Sequence, residues 1–94
     1  MHILILNGPN LNLLGSREPE TYGSQAFGAY LSTLREQYPD HTISYQQSNY
    51  EGYLIDTLQE APAYADGVIL NAGGYTHTSV SLRDAVQATS LPVI

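Results

Sequence analysis

The sequence predicts an open α/β fold with a parallel sheet, and three observations carry that reading. Short apolar runs at residues 3–6, 68–70 and 91–94 alternate with stretches of helical periodicity. The first two runs end in turns rich in asparagine and glycine. A strand–helix series of this kind, closed by right-handed crossovers, makes its strands parallel.

The elements follow in order. Residues 3–6 form a continuous, partly β-branched apolar run broken at once by Asn7-Gly8-Pro9-Asn10, which reads as a buried strand and its turn. Residues 11–23 show little periodicity and contain Gly15, Arg17, Pro19, Tyr22 and Gly23, the signature of a long exposed loop. Phe27, Tyr30, Leu31, Leu34 and Tyr38 then recur at three- and four-residue spacing, predicting a helix capped near Ser24 and stopped by Pro39-Asp40. Residues 42–46 alternate like a strand through Ile43 and Tyr45. Ser48 or Asn49 is placed to cap a second helix with Leu54, Ile55 and Leu58 as its stripe. After the strand at 68–70 and the Asn71-Ala72-Gly73-Gly74 turn, Thr78 or Ser79 opens a third helix through Val80, Leu82, Ala85 and Val86. Residues 91–94 begin a fourth strand.

Composition narrows the function. At 94 residues the chain forms a single domain, residues 1–94, with 43% hydrophobic residues and no cysteine. Disulfides and thiolate metal sites are thereby excluded. Nine acidic residues face three arginines and no lysine, a formal charge of -6. That balance argues against nucleic acid as a partner, because phosphates demand a basic surface. A small anion remains feasible, since a few arginines in a cleft act locally. The opening Met-His-Ile-Leu-Ile-Leu lacks a basic leader and is interrupted at Asn7, so a cytoplasmic protein with no membrane partner is expected.

Ligands of open α/β sheets sit beyond the carboxyl ends of the strands, where both glycine turns lie. Asn10 either belongs to a plain tight turn or projects its amide over the cleft. Arg17 and Tyr22 share the long loop, and a cation beside a phenol favours the phenolate, so the two could form an acid–base pair. An exposed arginine is otherwise ordinary on a surface. Asn71 and His77 lie between a strand end and a helix N-terminus, a place that suits an anionic group, although a lone histidine is as often a structural hydrogen-bonder. Arg83 and Asp84 fall one turn into the third helix, where a solvated salt bridge is the plain expectation. Histidines at 2, 41 and 77 have no metal-ligand spacing, and neither glycine turn matches a nucleotide phosphate loop, so no metal or cofactor is expected.

Four segments, taken together and in order, carry a family resemblance. They are Ile5-Leu6-Asn7-Gly8-Pro9-Asn10-Leu11; Leu14-Gly15-Ser16-Arg17-Glu18-Pro19 with Tyr22-Gly23; Gln47-Ser48-Asn49 with Glu51-Gly52; and residues 71–79 with Leu82-Arg83-Asp84-Ala85. With them the chain resembles the N-terminal two-thirds of type II 3-dehydroquinate dehydratase. The resemblance implies a flavodoxin-like three-layer fold, here C-terminally truncated, assembled as trimers into a dodecamer. It implies reversible dehydration of 3-dehydroquinate to 3-dehydroshikimate in the shikimate pathway, or in quinate breakdown, by anti elimination through an enolate, with neither metal nor Schiff base. Tyr22 would remove the C2 proton, Arg17 would keep it reactive, and Asn10 would stabilise the enolate through a water. Asn71 and His77 would hold substrate hydroxyls. Asp84 would reach a neighbouring subunit's site with Arg83 supporting it. The family's general acid, a histidine in a Glu-x-His segment, would follow Ile94, as would a serine backbone site for the carboxylate and a further arginine. Tyr50 and Tyr53 stand where the family often has histidine and glutamate. The contrasting reading is a non-catalytic remnant serving as an oligomerisation or interaction module.

Overall fold

The computed structural model describes residues 1–14 and 26–94. Its sheet has three strands, β1 (His2–Asn7), β2 (Thr42–Gln47) and β3 (Gly67–Asn71), in the order β2-β1-β3. All pairings are parallel. Leu4 lies opposite Ser44 on one side and Val68 on the other, and Asn7 lies between Gln47 and Asn71. The parallel sheet anticipated from the strand–helix alternation is therefore present. Residues 91–94 do approach β3 as expected, but form a single bridge, Val68 to Val93, rather than a ladder. The Ile94 N–H donates to Val68 O at 3.0 Å and the Leu70 N–H to Ile94 O at 2.7 Å.

The strand periodicity of two divides the core. Leu4 and Leu6 of central β1 are fully buried and cluster with Val68 of β3, Leu54 and Leu58 of α2 (Glu51–Glu60), and Leu82 and Ala85 of α4 (Val80–Ala88). Ile3 and Ile5 face the other way and share an apolar groove with Ile43, Ile69 and residues Leu34 and Tyr38 at the end of α1 (Phe27–Gln37). A strand buried on both faces needs an unbroken apolar run, which is why β1 does not alternate. β3, with less cover, leaves Ile69 43% exposed.

The helices depart from the anticipated stripes at several positions. In α1 only Leu31 is buried, while Tyr30 and Tyr38 remain half-exposed. Phe27 stacks on Tyr45 of β2 at 4.9 Å, and the Arg35 guanidinium donates twice to the Ile43 carbonyl, at 3.0 and 2.8 Å. The cap anticipated near Ser24 lies outside the described residues. In α4, Val80 is not part of the apolar stripe but 77% exposed, because the buried face runs through Leu82 and Ala85. Neither Ser48 nor Asn49 caps α2. Its N-cap is Tyr50, and the Ser48 hydroxyl instead accepts the Tyr50 N–H at 3.0 Å.

Of Thr78 and Ser79, the two caps the sequence offered for the third helix, Ser79 is the one used. Its buried Oγ accepts the Leu82 N–H at 2.9 Å. Ser79→Ala is expected to destabilise the fold by about 1 kcal/mol, the usual cost of losing an N-cap oxygen. Urea unfolding should show a lower midpoint at unchanged slope.

The Tyr64 phenol is held above its ordinary pKa of 10.0, first by partial burial and then by the charges of Glu60 and Tyr53. Its ring leans on His2 at 5.3 Å. A raised pKa means the folded state binds this proton more tightly than the unfolded chain. The corresponding stability is fully present below pH 10 and is lost as pH rises through the folded value. Tyr64→Phe is expected to flatten that alkaline loss while leaving the neutral-pH melting temperature nearly unchanged. Thermal melts from about pH 8 upward would read it.

Candidate active site at the strand ends

The carboxyl ends of β1, β2 and β3 are tied into one surface by backbone bonds. The Gly8 N–H donates to Asn71 O at 2.7 Å, and the Ser48 N–H donates to Asn7 O at 3.0 Å. The close approach requires glycine at position 8. A Cβ there would lie 2.6 Å from the Ala72 carbonyl oxygen, a backbone atom with nowhere to go. Gly73 answers from the other side. It adopts φ 59°, which glycine alone enters without steric cost, and a Cβ on it would press Pro9 O at 3.1 Å. The two glycine turns of the sequence therefore pack against each other.

Asn10 follows in the left-handed region, φ 69° and ψ -4°, just before a short 3-10 turn over Leu11–Leu13. Asparagine tolerates this conformation better than most residues. Its N–H donates to the Asn49 Oδ1 at 3.0 Å, so a side chain whose type suits a cap of α2 serves the β1 turn instead. Behind it, Gln47 Nε2 lies within donating distance of Gly8 O (3.1 Å), Asn49 Oδ1 (3.2 Å) and Asn12 Oδ1 (3.4 Å). Asn10, Pro9, Leu11, Gly73 and Gly74 border a hollow of about 300 Å³.

Asn71 ends β3, and its Oδ1 accepts the Gly73 N–H at 3.1 Å, which orients the amide at the turn. His77 lies on α3 (Tyr75–Thr78), a single helical turn that sequence periodicity did not reveal. Four residues are too few to display a period, and Ser79 breaks the helix with an extended backbone before α4 starts. The Tyr75 hydroxyl donates to Asn49 O at 3.1 Å, tying α3 to the loop that holds Asn10. His77 and Arg83 border a common cavity of about 460 Å³ with Leu70, Tyr75 and Val86. Asp84 does not join them. It borders a different hollow of about 520 Å³, between α2 and α4, with Ile55, Leu58 and Ala88. The helical geometry explains the split, since residues 84, 85 and 88 share one face while 83, 86 and 87 share another. Arg17 and Tyr22 lie outside the described residues. Among the described residues no group of histidine, aspartate and glutamate could hold a metal ion, and no helix is long and apolar enough to cross a membrane.

Asn10, Asn71 and the Gly8 and Gly73 turns thus meet where the strands end. The family description Dehydroquinase class II matches residues 1–94. The chain belongs to the class II dehydroquinase family. It is 53% identical over 95 residues to the 3-dehydroquinate dehydratase of an Exiguobacterium species and 50% identical over 96 residues to that of Dinoroseobacter shibae. Each alignment takes in the whole chain. The chain spans 65% and 64% of the length of these two curated relatives. The fold is that of the crystal structure of type II dehydroquinase from Butyrivibrio crossotus, with a TM-score of 0.90 and 40% identity over 98% of this chain and 66% of that one. The Propionibacterium acnes type II dehydroquinase is similar at a TM-score of 0.86 and 28% identity, covering 98% of this chain and 65% of that one.

Within the class II dehydroquinase framework, the residues that sequence reasoning passed over are the braces. Gln47 and Asn49 stood in the sequence as part of the Gln47-Ser48-Asn49 segment, and Asn49 as a candidate helix cap, neither of which reveals a brace. Tyr75 stood only within the 71–79 segment. Of the two tyrosines at 50 and 53, Tyr53 donates to Gln46 Oε1 at 2.6 Å, while Tyr50 stands 76% exposed beside the α2 start.

Proposed function

We propose that this chain carries the proton-abstracting side of a 3-dehydroquinate dehydratase, acting in the shikimate pathway in the cytoplasm. The observation that carries the proposal is the left-handed Asn10 turn, packed against the Asn71–Gly73 turn in a chain of this family. Tyr22 removes the C2 proton next to the substrate ketone, with Arg17 favouring its phenolate. Asn10 stabilises the enolate oxygen through a water, so the charge that develops meets a preorganised dipole. Asn71 and His77 hold substrate hydroxyls. Loss of the C1 hydroxyl as water from the opposite face, which completes an anti elimination to 3-dehydroshikimate, needs a general acid that the proton-abstracting side does not include.

Asp84 and Arg83 divide the remaining work. Arg83 borders the His77 cavity of its own subunit. Asp84, on the other face of α4, serves the site of a neighbour within a trimer, and four such trimers make a dodecamer. The separation of Asp84 from the His77 cavity supports that assignment.

Two readouts test the proposal on the 94-residue chain. Exchange of the C2 proton of 3-dehydroquinate for deuterium, followed by NMR, reports the step assigned to Tyr22, Arg17 and Asn10. The rise of conjugated enone absorbance reports the whole dehydration. Catalysed exchange at C2 is the expected result. No exchange above the solvent rate, with trimers retained in sedimentation, would overturn the catalytic reading in favour of an oligomerisation module.

A further inference from the structure

The loop between β2 and α2 touches both halves of the candidate site without bordering any of the three hollows described above. Asn49 uses its side-chain oxygen on the Asn10 N–H and its carbonyl oxygen on the Tyr75 hydroxyl. One residue therefore spans from the β1 turn to α3, the helical turn that bears His77. Gln47, half-buried, places its Nε2 within donating distance of the oxygens that surround this link. We propose that Asn49 is a positioning residue for the dehydration, and that Gln47 holds it in place. It keeps Asn10 in the left-handed conformation and fixes its distance from His77.

The physical reason lies in the Asn10 backbone. A left-handed residue in a turn is not the lowest-energy state of an L-amino acid, and it persists where surrounding bonds over-determine it. Here the main-chain N–H of Asn10 is gripped from outside its own turn by a residue 39 positions away. Asparagine at position 49 is needed for its acceptor oxygen. Glutamine at 47 is needed for its donors: a glutamate there would set a carboxylate against three acceptor oxygens. The inference rests on Asn10 taking part in enolate stabilisation, because a misplaced amide lowers the rate without weakening substrate binding.

Two independent readouts separate the brace from the chemistry. The first is hydrogen exchange at the Asn10 amide. Asn49→Ala and Gln47→Leu are expected to speed it roughly tenfold, the factor that loss of one hydrogen bond brings. Asn49→Asp, which keeps an acceptor for the Asn10 N–H, should restore protection. The second is the kcat for C2 proton exchange. Asn49→Ala should lower it about tenfold with KM changed less than roughly threefold. Asn10→Gly serves as the reference, since glycine accepts the left-handed backbone while removing the amide. In that background Asn49→Ala should add no further loss, because its effect passes through the missing side chain. Unchanged Asn10 exchange in Asn49→Ala would overturn the proposal, as would kcat losses that multiply in the double variant. Full activity in Asn10→Gly would instead sink the enolate role of Asn10, and amide exchange alone would then decide whether Asn49 is a brace.

Discussion

Tyr22→Phe is expected to lower kcat for C2 proton removal by roughly 10²–10⁴, the range that general-base catalysis contributes, with little change in KM. Phenylalanine keeps the ring but has no oxygen to accept the proton. The pH profile separates this loss from misfolding. With Tyr22 as the proposed base, the rate in the parent chain should climb with pH until the phenol is ionised, the Arg17 cation favouring the phenolate. Arg17→Gln should then move the climb to higher pH while preserving a plateau, whereas Tyr22→Phe should abolish it. A Tyr22→Phe variant that retained the parent rate would remove Tyr22 from the mechanism.

Gly8→Ala is expected to cost the fold about 1–3 kcal/mol, at the upper end of that range, and to damage the site as well. The added methyl would sit 2.6 Å from the Ala72 carbonyl oxygen. Relief requires the β1 and β3 turns to separate. Separation lengthens the 2.7 Å bond from the Gly8 N–H to Asn71 O and carries Asn10 away from Asn71. Gly52 is the control. It lies in the first turn of α2, where an added Cβ would meet no atom within 4 Å. Gly52→Ala should therefore be neutral or stabilise by up to about 1 kcal/mol. Urea midpoints for the two variants, measured side by side, check the contrast. Equal stability of Gly8→Ala and the parent would mean that the turns are not in contact in solution.

The open apolar groove over Ile3, Ile5, Ile43 and Ile69 sets a condition on such measurements. Ile69 is 43% exposed there, and exposed apolar surface favours association, so unfolding data should be taken across a range of protein concentrations.

What could be read from the residues was whatever depends on neighbours along the chain. The run through Leu4 and Leu6 announced a strand buried on both faces, and the spacing of Leu54 and Leu58 announced the inner face of α2. Ser79 could be identified as a cap because its partner, Leu82, is only three residues away. Asn10, Asn71 and His77 could be placed at strand ends by the same local logic. The tertiary structure decided what depends on distance between loops. Asn49 had the composition of a cap, yet its oxygen serves Asn10 across the strand ends because the parallel register sets Gln47 beside Asn7. Val80 fitted an apolar spacing and is exposed, since only packing against α2 determines which face of α4 turns inward. Arg83 and Asp84 are adjacent in sequence but border different hollows, because successive residues on a helix point about 100° apart.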